Sequence, residues 1–255
     1  MSNSSLLQSR TILVTGASGG IGASAVTALG DAGATVIAHY STNLAGAQAA
    51  VATVPPGYGV LVGGDLSTAE GARRLWSEVT AEHDADAVVI NAGVMDATPL
   101  DGADQDWDRG WEHLLAVNVI GGGSLMREAV RYFAQRGSGT VVTISSWAAE
   151  QGSRILDSSG YAASKAAIRN LAQTFARHYA DQGVRMHIVA PGVVDAGMSV
   201  QAHGSGNINA AAQGLAMKRL VAVREVAQLI AFLCTDEAAS LTGATIDING
   251  ASYIR

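Results

Sequence analysis

The chain has 255 residues, 48% of them hydrophobic and 15% charged, with a formal charge of −6 and no basic tract, which supplies a large core and argues against nucleic acid or an anionic membrane surface as partner. One cysteine, Cys234, cannot close an internal disulfide and fits a reducing compartment. The apolar part of MSNSSLLQSR is too short for a signal peptide, and no stretch approaches the ~18 consecutive apolar residues of a membrane helix, so a cytoplasmic protein without membrane contact is expected.

Short β-branched runs alternate with longer amphipathic ones. Strands are expected at TILVT (11–15), TVIAHY (35–40), GVLVGG (59–64), AVVIN (87–91), TVVTIS (140–145), RMHIVA (185–190) and ATIDI (244–248). Helical patterns lie between them at 20–32, 43–53, 67–83, 105–136, 158–182 and 222–235. Strands that read as continuous apolar runs are covered on both faces. Strands alternating with helices make parallel βαβ crossovers. The pattern therefore predicts one α/β domain over residues 1–255, a doubly wound parallel sheet of about seven strands with helices on both faces. Its ligand belongs beyond the carboxyl ends of the strands, where the strand order reverses.

The first strand runs into TGASGGIG, Thr15 to Gly22. A glycine-rich turn between strand and helix lets main chain approach a pyrophosphate, and the helix start offers N–H donors and positive dipole. Gly16, Gly20 and Gly22 are the glycines that matter for this. The turn predicts a bound dinucleotide.

Later in the chain, SSGYAASKAAIRN (158–170) sets Tyr161 four residues ahead of Lys165. Residues i and i+4 share a helix face. With six tyrosines and only two lysines in the chain, random placement gives this spacing about 0.05 times. Arginine is the ordinary cation here, fourteen against two lysines. A site that needs a compact charge beneath a phenol keeps lysine, because guanidinium is a wide planar fork. A phenol near its ordinary pKa of ~10 is a reluctant base, and lowering it by about three units requires roughly 4 kcal/mol. A unit charge ~4 Å away at an effective dielectric near 20 supplies about that much. Lys165 is thus expected to depress Tyr161 and make it an acid/base.

The chain resembles the short-chain dehydrogenase/reductases, in the branch with subunits of about this length. The resemblance spans nearly the whole sequence and rests on TGASGGIG (15–22), DL (65–66), NAG (91–93), VNVIG (117–121), ISS (144–146), YAASK (161–165) and PG (191–192), in the family's order. It implies a Rossmann-like fold, a nicotinamide cofactor, and hydride transfer between a ketone and a secondary alcohol. The catalytic set it implies is Asn118, Ser146, Tyr161 and Lys165, with Ser146 orienting the substrate oxygen and Asn118 holding a water that passes protons to Lys165. Ser145 competes with Ser146, and the family's spacing favours Ser146. The cofactor-binding positions are Gly16, Ser18, Gly20, Ile21 and Gly22 in the turn; Tyr40, Ser41 and Thr42 after the second strand; Asp65, toward the adenine, and Leu66; Asn91, Ala92 and Gly93; Tyr161 and Lys165; and Pro191, Gly192 and Val194.

Two departures bear on the cofactor. NAD-preferring members carry an acid at the end of the second strand, to hold the ribose 2′-hydroxyl; in VIAHYSTN (36–43) Tyr40 stands there. Nothing then repels a 2′-phosphate, and Ser41, Thr42, Asn43 and His39 are candidate donors, although no Arg or Lys is near and Gly19 occupies a place where NADP-binding relatives often carry a basic residue. NADP(H) is expected, with NAD(H) as the alternative. The threonine that usually follows Pro-Gly and meets the nicotinamide carboxamide is Ala196 here.

Residues 197–217 carry many small residues and are expected to form a substrate lid. Val94, Met95, Trp147 and Met198 are expected to line a largely apolar pocket for a neutral ketone or secondary alcohol, with an acyl-thioester ketone as the alternative; Arg154 is a candidate for a carboxylate, although surface arginines are commoner. The remaining histidines show no metal-ligand spacing, and no metal is expected. Trp107 and Trp111, four apart on a helix, are expected to pack in the core or at a subunit face. The alanines of 161–180 and the two apolar sides of 105–136 point to helix pairing between subunits, and the resemblance to a homotetramer. A nucleotide-binding sensor that kept the fold and lost catalysis is the alternative function; it should have lost one of Asn118, Ser146, Tyr161 or Lys165, and all four are present.

Overall fold

The computed structural model describes residues 6–198 and 208–254. Seven strands, β1 (Thr11–Val14), β2 (Thr35–Tyr40), β3 (Gly59–Gly63), β4 (Ala87–Ile90), β5 (Gly139–Ile144), β6 (Val184–Pro191) and β7 (Thr245–Ile248), form one sheet in the order β3-β2-β1-β4-β5-β6-β7. Every neighbouring pair is parallel. The inner strands are buried over most of their length, β4 (AVVI) at every position, whereas edge strand β3 keeps Leu61 partly exposed. This is why the inner strands carry no polar alternation.

Helices cover both faces. On one side α1 (Gly20–Asp31) and α2 (Leu44–Val51) join the C-terminal helix Val223–Leu233 over a core that includes Val26, Leu29, Val226 and Ile230. On the other, α3 (Ala69–Glu82), α5 (Gly122–Arg136) and α7 (Ser159–Tyr179) bury Leu75, Trp76, Met126, Phe133 and Ile168. The Trp76 and Phe133 rings meet edge to face, 5.7 Å apart, a geometry that the ring quadrupoles favour. The remaining helices are α4 (Asp104–Leu114), the short α6 (Ala148–Gln151) and α8 (Ile208–Gly214), which makes Val223–Leu233 α9.

The helical pattern expected over 105–136 is interrupted. Between α4 and α5, Leu115–Gly121 winds as a π-helix. At its end the main chain comes close to main chain: a Cβ on Gly121 would sit 1.8 Å from the Leu66 carbonyl oxygen. Three consecutive glycines, Gly121 to Gly123, also weaken the ordinary helix at this point. The second apolar side read for this stretch is core rather than surface, since Leu125, Met126, Val130 and Phe133 are all buried against the sheet. What remains outside is Leu115 and Ile120, the latter 51% exposed. Trp107 and Trp111 are half-buried against each other, ring centres 5.9 Å apart. Among the described residues no helix is long and apolar enough to cross a membrane.

Candidate active site

The glycine turn is built around positive φ angles and one close approach. Gly16 has φ +66° and Gly20 φ +55°, conformations costly for any residue with a Cβ. A Cβ on Gly22 would fall 2.2 Å from the Gly16 carbonyl oxygen and 2.7 Å from Asn91 Nδ2. Asn91 fills that space usefully, because its Nδ2 donates to the carbonyls of Thr15 (2.9 Å) and Gly16 (3.1 Å) and so ties the turn to the end of β4. Thr15 completes the tie: its Oγ1 accepts from the main-chain N–H of Asn91 and of Ala92, both at 3.0 Å. Flanking helices α2 and α3 are capped by Asn43 and Thr68. The first N–H groups of α1 have no side-chain cap and no acid in the first turn, which leaves donors and dipole for an anion. Gly19 faces open space, and a Cβ on Gly20 would meet only Ala196.

The expectation for His39 needs correction. His39 is not a donor to a 2′-phosphate. It is buried, its Nδ1 accepts from the Gly16 N–H (3.2 Å), and its Nε2 lies 3.1 Å from the Gly64 carbonyl. Burial holds its pKa below the ordinary value, so the neutral ring clamps the glycine turn to the loop after β3. Asn43 accepts the Gly46 N–H on its Oδ1 as the α2 cap (2.9 Å), a bond that does not use its Nδ2 donors. Tyr40 is half-buried, with its hydroxyl 3.1 Å from where a Gly63 Cβ would stand, and Ser41 and Thr42 are exposed beside it.

The four residues of the expected catalytic set converge on the carboxyl edge of β4 and β5. Ser145 and Ser146 separate cleanly. Ser145 Oγ points into α7 and donates to the Lys165 carbonyl (2.9 Å), while Ser146 is hydrogen-bonded to the Tyr161 hydroxyl and accepts from the Ala148 N–H (3.2 Å). Lys165 Nζ donates to the Ile144 carbonyl (3.0 Å) and lies 5.8 Å from the centre of the Tyr161 ring. Gly93 makes room for it, since a Cβ there would be 3.1 Å from both Lys165 Nζ and Asn118 Oδ1. Asn118 acts as a latch: Oδ1 accepts from the Val94 N–H (2.8 Å), and Nδ2 donates to the Val94 carbonyl (3.0 Å) and to Ser164 Oγ (2.9 Å). Ser164 in turn donates to the Tyr161 carbonyl (2.8 Å). The start of α7 is also held from outside by a residue the sequence did not single out. Thr98 Oγ1 lies 3.0 Å from Ser159 Oγ and accepts from the Gly160 N–H at 3.1 Å.

The expected depression of Tyr161 is not produced by the chain's own groups. Burial pushes the phenol up to about 12, with the Ser146 hydrogen bond pulling the other way, and burial pushes Lys165 down to about 8. Burial is the larger influence on Tyr161, because a phenolate loses its water there. The phenol is therefore protonated at neutral pH and the ammonium largely charged.

These groups line one cavity of about 690 Å³. Gly16, Gly20, Ile21, Asn91, Ala92 and Gly93 close it on the glycine-turn side, and Pro191, Gly192, Val194 and Ala196 on the β6 side. Met95, Trp147, Met198 and Leu215 line the outer part; Val94 does not reach it. Ser18, Gly22, Tyr40, Ser41, Thr42, Asp65, Leu66 and Asn118 are not among its lining residues. Asp65 is exposed, and its carboxylate, held below the usual range, accepts from the N–H and hydroxyl of Ser67. Of the lid expected at 197–217, residues 199–207 lie outside the described residues; α8 contributes Ala211 to the cavity. Among the described residues no cluster of His, Cys, Asp and Glu could hold a metal ion.

A family model described as enoyl-(acyl carrier protein) reductase matches residues 16–251. An uncharacterised short-chain type dehydrogenase/reductase of Sinorhizobium fredii is 30% identical, covering 98% of this chain and 99% of its own length. An acetoacetyl-CoA reductase of Allochromatium vinosum is 29% identical over 96% of this chain and 99% of its own. Among solved structures, a 3-oxoacyl-(acyl-carrier-protein) reductase of Agrobacterium tumefaciens with NADP bound superposes with a TM-score of 0.86 at 30% identity, covering 96% of this chain and 94% of that one. Fold, motif order and these likenesses agree: the chain belongs to the short-chain dehydrogenase/reductase family.

Proposed function

We propose that the protein is an NADP(H)-preferring enzyme that interconverts a ketone and a secondary alcohol. The observation that carries this reading is that Tyr161, Ser146 and Lys165 line the same cavity as the uncapped start of α1. The residues present fit a nicotinamide dinucleotide: the bare N–H groups of α1 suit a pyrophosphate, and Gly93, Pro191 and Gly192 leave a wall without side-chain obstruction beside Tyr161. The bound cofactor supplies or accepts the hydride at the carbonyl carbon. Tyr161, protonated at neutral pH, gives its proton to the developing alkoxide, and Ser146 orients that oxygen. Lys165 stabilises the phenolate left behind. Asn118 keeps the Val94 loop and α7 in register, and Oδ1 retains one lone pair on the Lys165 side, where a water can pass a proton onward.

The NADP(H) preference rests on the end of β2, where no carboxylate stands and the hydroxyls of Ser41 and Thr42 are exposed beside Tyr40; the Agrobacterium tumefaciens relative carries NADP. The test is the ratio of kcat/KM for NADPH over NADH. It should exceed one, and Tyr40→Asp should move it toward NADH by placing a charge against the 2′-phosphate. A wild-type preference for NADH overturns the assignment.

A further inference from the structure

The outer part of the cavity is apolar on nearly every side, with Met95, Trp147, Ile155 and Leu215 as its larger walls. Among the described lining residues Lys165 and Arg154 carry a charge, and neither Asp nor Glu is present. Lys165 is buried at the Ile144 carbonyl. Arg154 is different in each respect. It is exposed, on the loop between α6 and α7, and its guanidinium carbon lies 5.0 Å from the centre of the Trp147 ring. No described carboxylate forms an ion pair with it, although Arg169, on α7, pairs with Glu150.

An arginine over an indole uses its face and leaves its N–H edge to meet a ligand. The indole also holds the side chain in place, which reduces the conformational entropy lost when an anion binds. Trp147 directly follows Ser146, so the platform under this cation is bonded next to the hydroxyl that faces the reacting oxygen. A cation placed so, at the mouth of an apolar cavity without a counter-charge, is matched by an anion on whatever enters.

We propose that Arg154 is a specificity-determining residue that binds a carboxylate at the end of the substrate remote from the reacting carbonyl, so that the substrates are oxo acids or hydroxy acids with an apolar middle. This rests on the oxidoreductase reading above. The planar fork of Arg154 fits a carboxylate through two parallel N–H···O bonds. A phosphate of a carrier thioester offers the same anion chemistry from a different source, and the experiment separates the two.

Reduction by NADPH is followed for levulinate and its longer straight-chain oxo-acid homologues, each beside its methyl ester. The best acid should exceed its ester in kcat/KM by about tenfold or more, chiefly through KM, the order expected of a charge-assisted bond at a partly exposed site. Arg154→Gln should bring the acid-to-ester ratio close to one, and Arg154→Lys should give an intermediate ratio, since it keeps the charge and loses the fork. A wild-type ratio at or below one throughout the series overturns the proposal, as does an equal loss for acid and ester in Arg154→Gln. Acetoacetyl-CoA is compared with the acetoacetyl thioester of N-acetylcysteamine: a preference for the CoA form that Arg154→Gln removes, without any acid preference, assigns Arg154 to a phosphate and overturns the carboxylate. If no carbonyl compound is reduced with either NADPH or NADH, the oxidoreductase reading itself fails, an outcome distinct from esters being preferred to acids.

Discussion

Tyr161 and Lys165 show what a spacing can and cannot reveal. Their shared helix face followed from the interval of four, but the direction of the Tyr161 shift did not, because it depends on how much water the fold removes. Burial raises the phenol to about 12 and lowers the ammonium to about 8, and a tyrosine in that state suits proton donation during reduction. Tyr161→Phe keeps the ring and removes the proton, so it should fold, bind cofactor by fluorescence titration, and lose about 10²-fold or more in turnover. Retention of more than about a tenth of the wild-type rate contradicts the role, since a positioned acid contributes more than that. The pH profile has a definite sign. Lys165 is charged below about 8 and Tyr161 stays protonated to about 12, so kcat/KM for reduction should be level through neutrality and fall as pH rises past about 8 with the loss of the Lys165 charge. Alcohol oxidation, which needs the phenolate, should climb with pH instead. A reduction rate that climbs with pH across that range assigns the limiting proton to another group.

At the scale of elements, the site is held by contacts between loops and helices distant in sequence. Asn118 lies in the π-helix and is buried, where it bonds the Val94 main chain and Ser164. No periodicity in 105–136 announces that break, and the close approach of the Leu66 carbonyl to Gly121 comes from an element far away in sequence. Asn118→Ala leaves the Val94 main-chain groups and Ser164 without these partners. It should cost about 1–3 kcal/mol of stability, the usual price of unpaired buried polar groups. It should also lower kcat, since the latch tying α7 to the loop after β4 is gone. Denaturant titration and steady-state kinetics check both. An unchanged midpoint with lost activity would mean that Asn118 acts on the chemistry alone. Thr98 belongs to the same scale: a threonine in a loop carries no signal of its own, and only the fold brings it to the first turn of α7.

For the whole molecule, α7 keeps Ala163 and Ala167 exposed, and the π-helix keeps Leu115 and Ile120 partly outside. Small and apolar residues left on the surface favour close helix contact with another copy. We propose a homotetramer, with a dimer as the fallback. Light scattering after size exclusion at micromolar concentration decides it. A mass near the 26.0 kDa of one chain refutes association, and a mass near twice that leaves the dimer in place of the tetramer.

The order and type of the strands, the glycine turn and the Tyr161–Lys165 face were all determined locally. Each rests on a short-range rule: apolar runs buried on two faces, a turn that tolerates no Cβ, and the pitch of a helix. The choice between Ser145 and Ser146, the clamp made by His39, the burial of Asn118 and the Arg154–Trp147 stack were decided by tertiary structure alone. In each of these, a side chain's role follows from what lies across from it, and that partner comes from another element of the sheet or its helices. Titration belongs with them, because a pKa reports how much water the whole fold excludes, and no neighbour in sequence sets that.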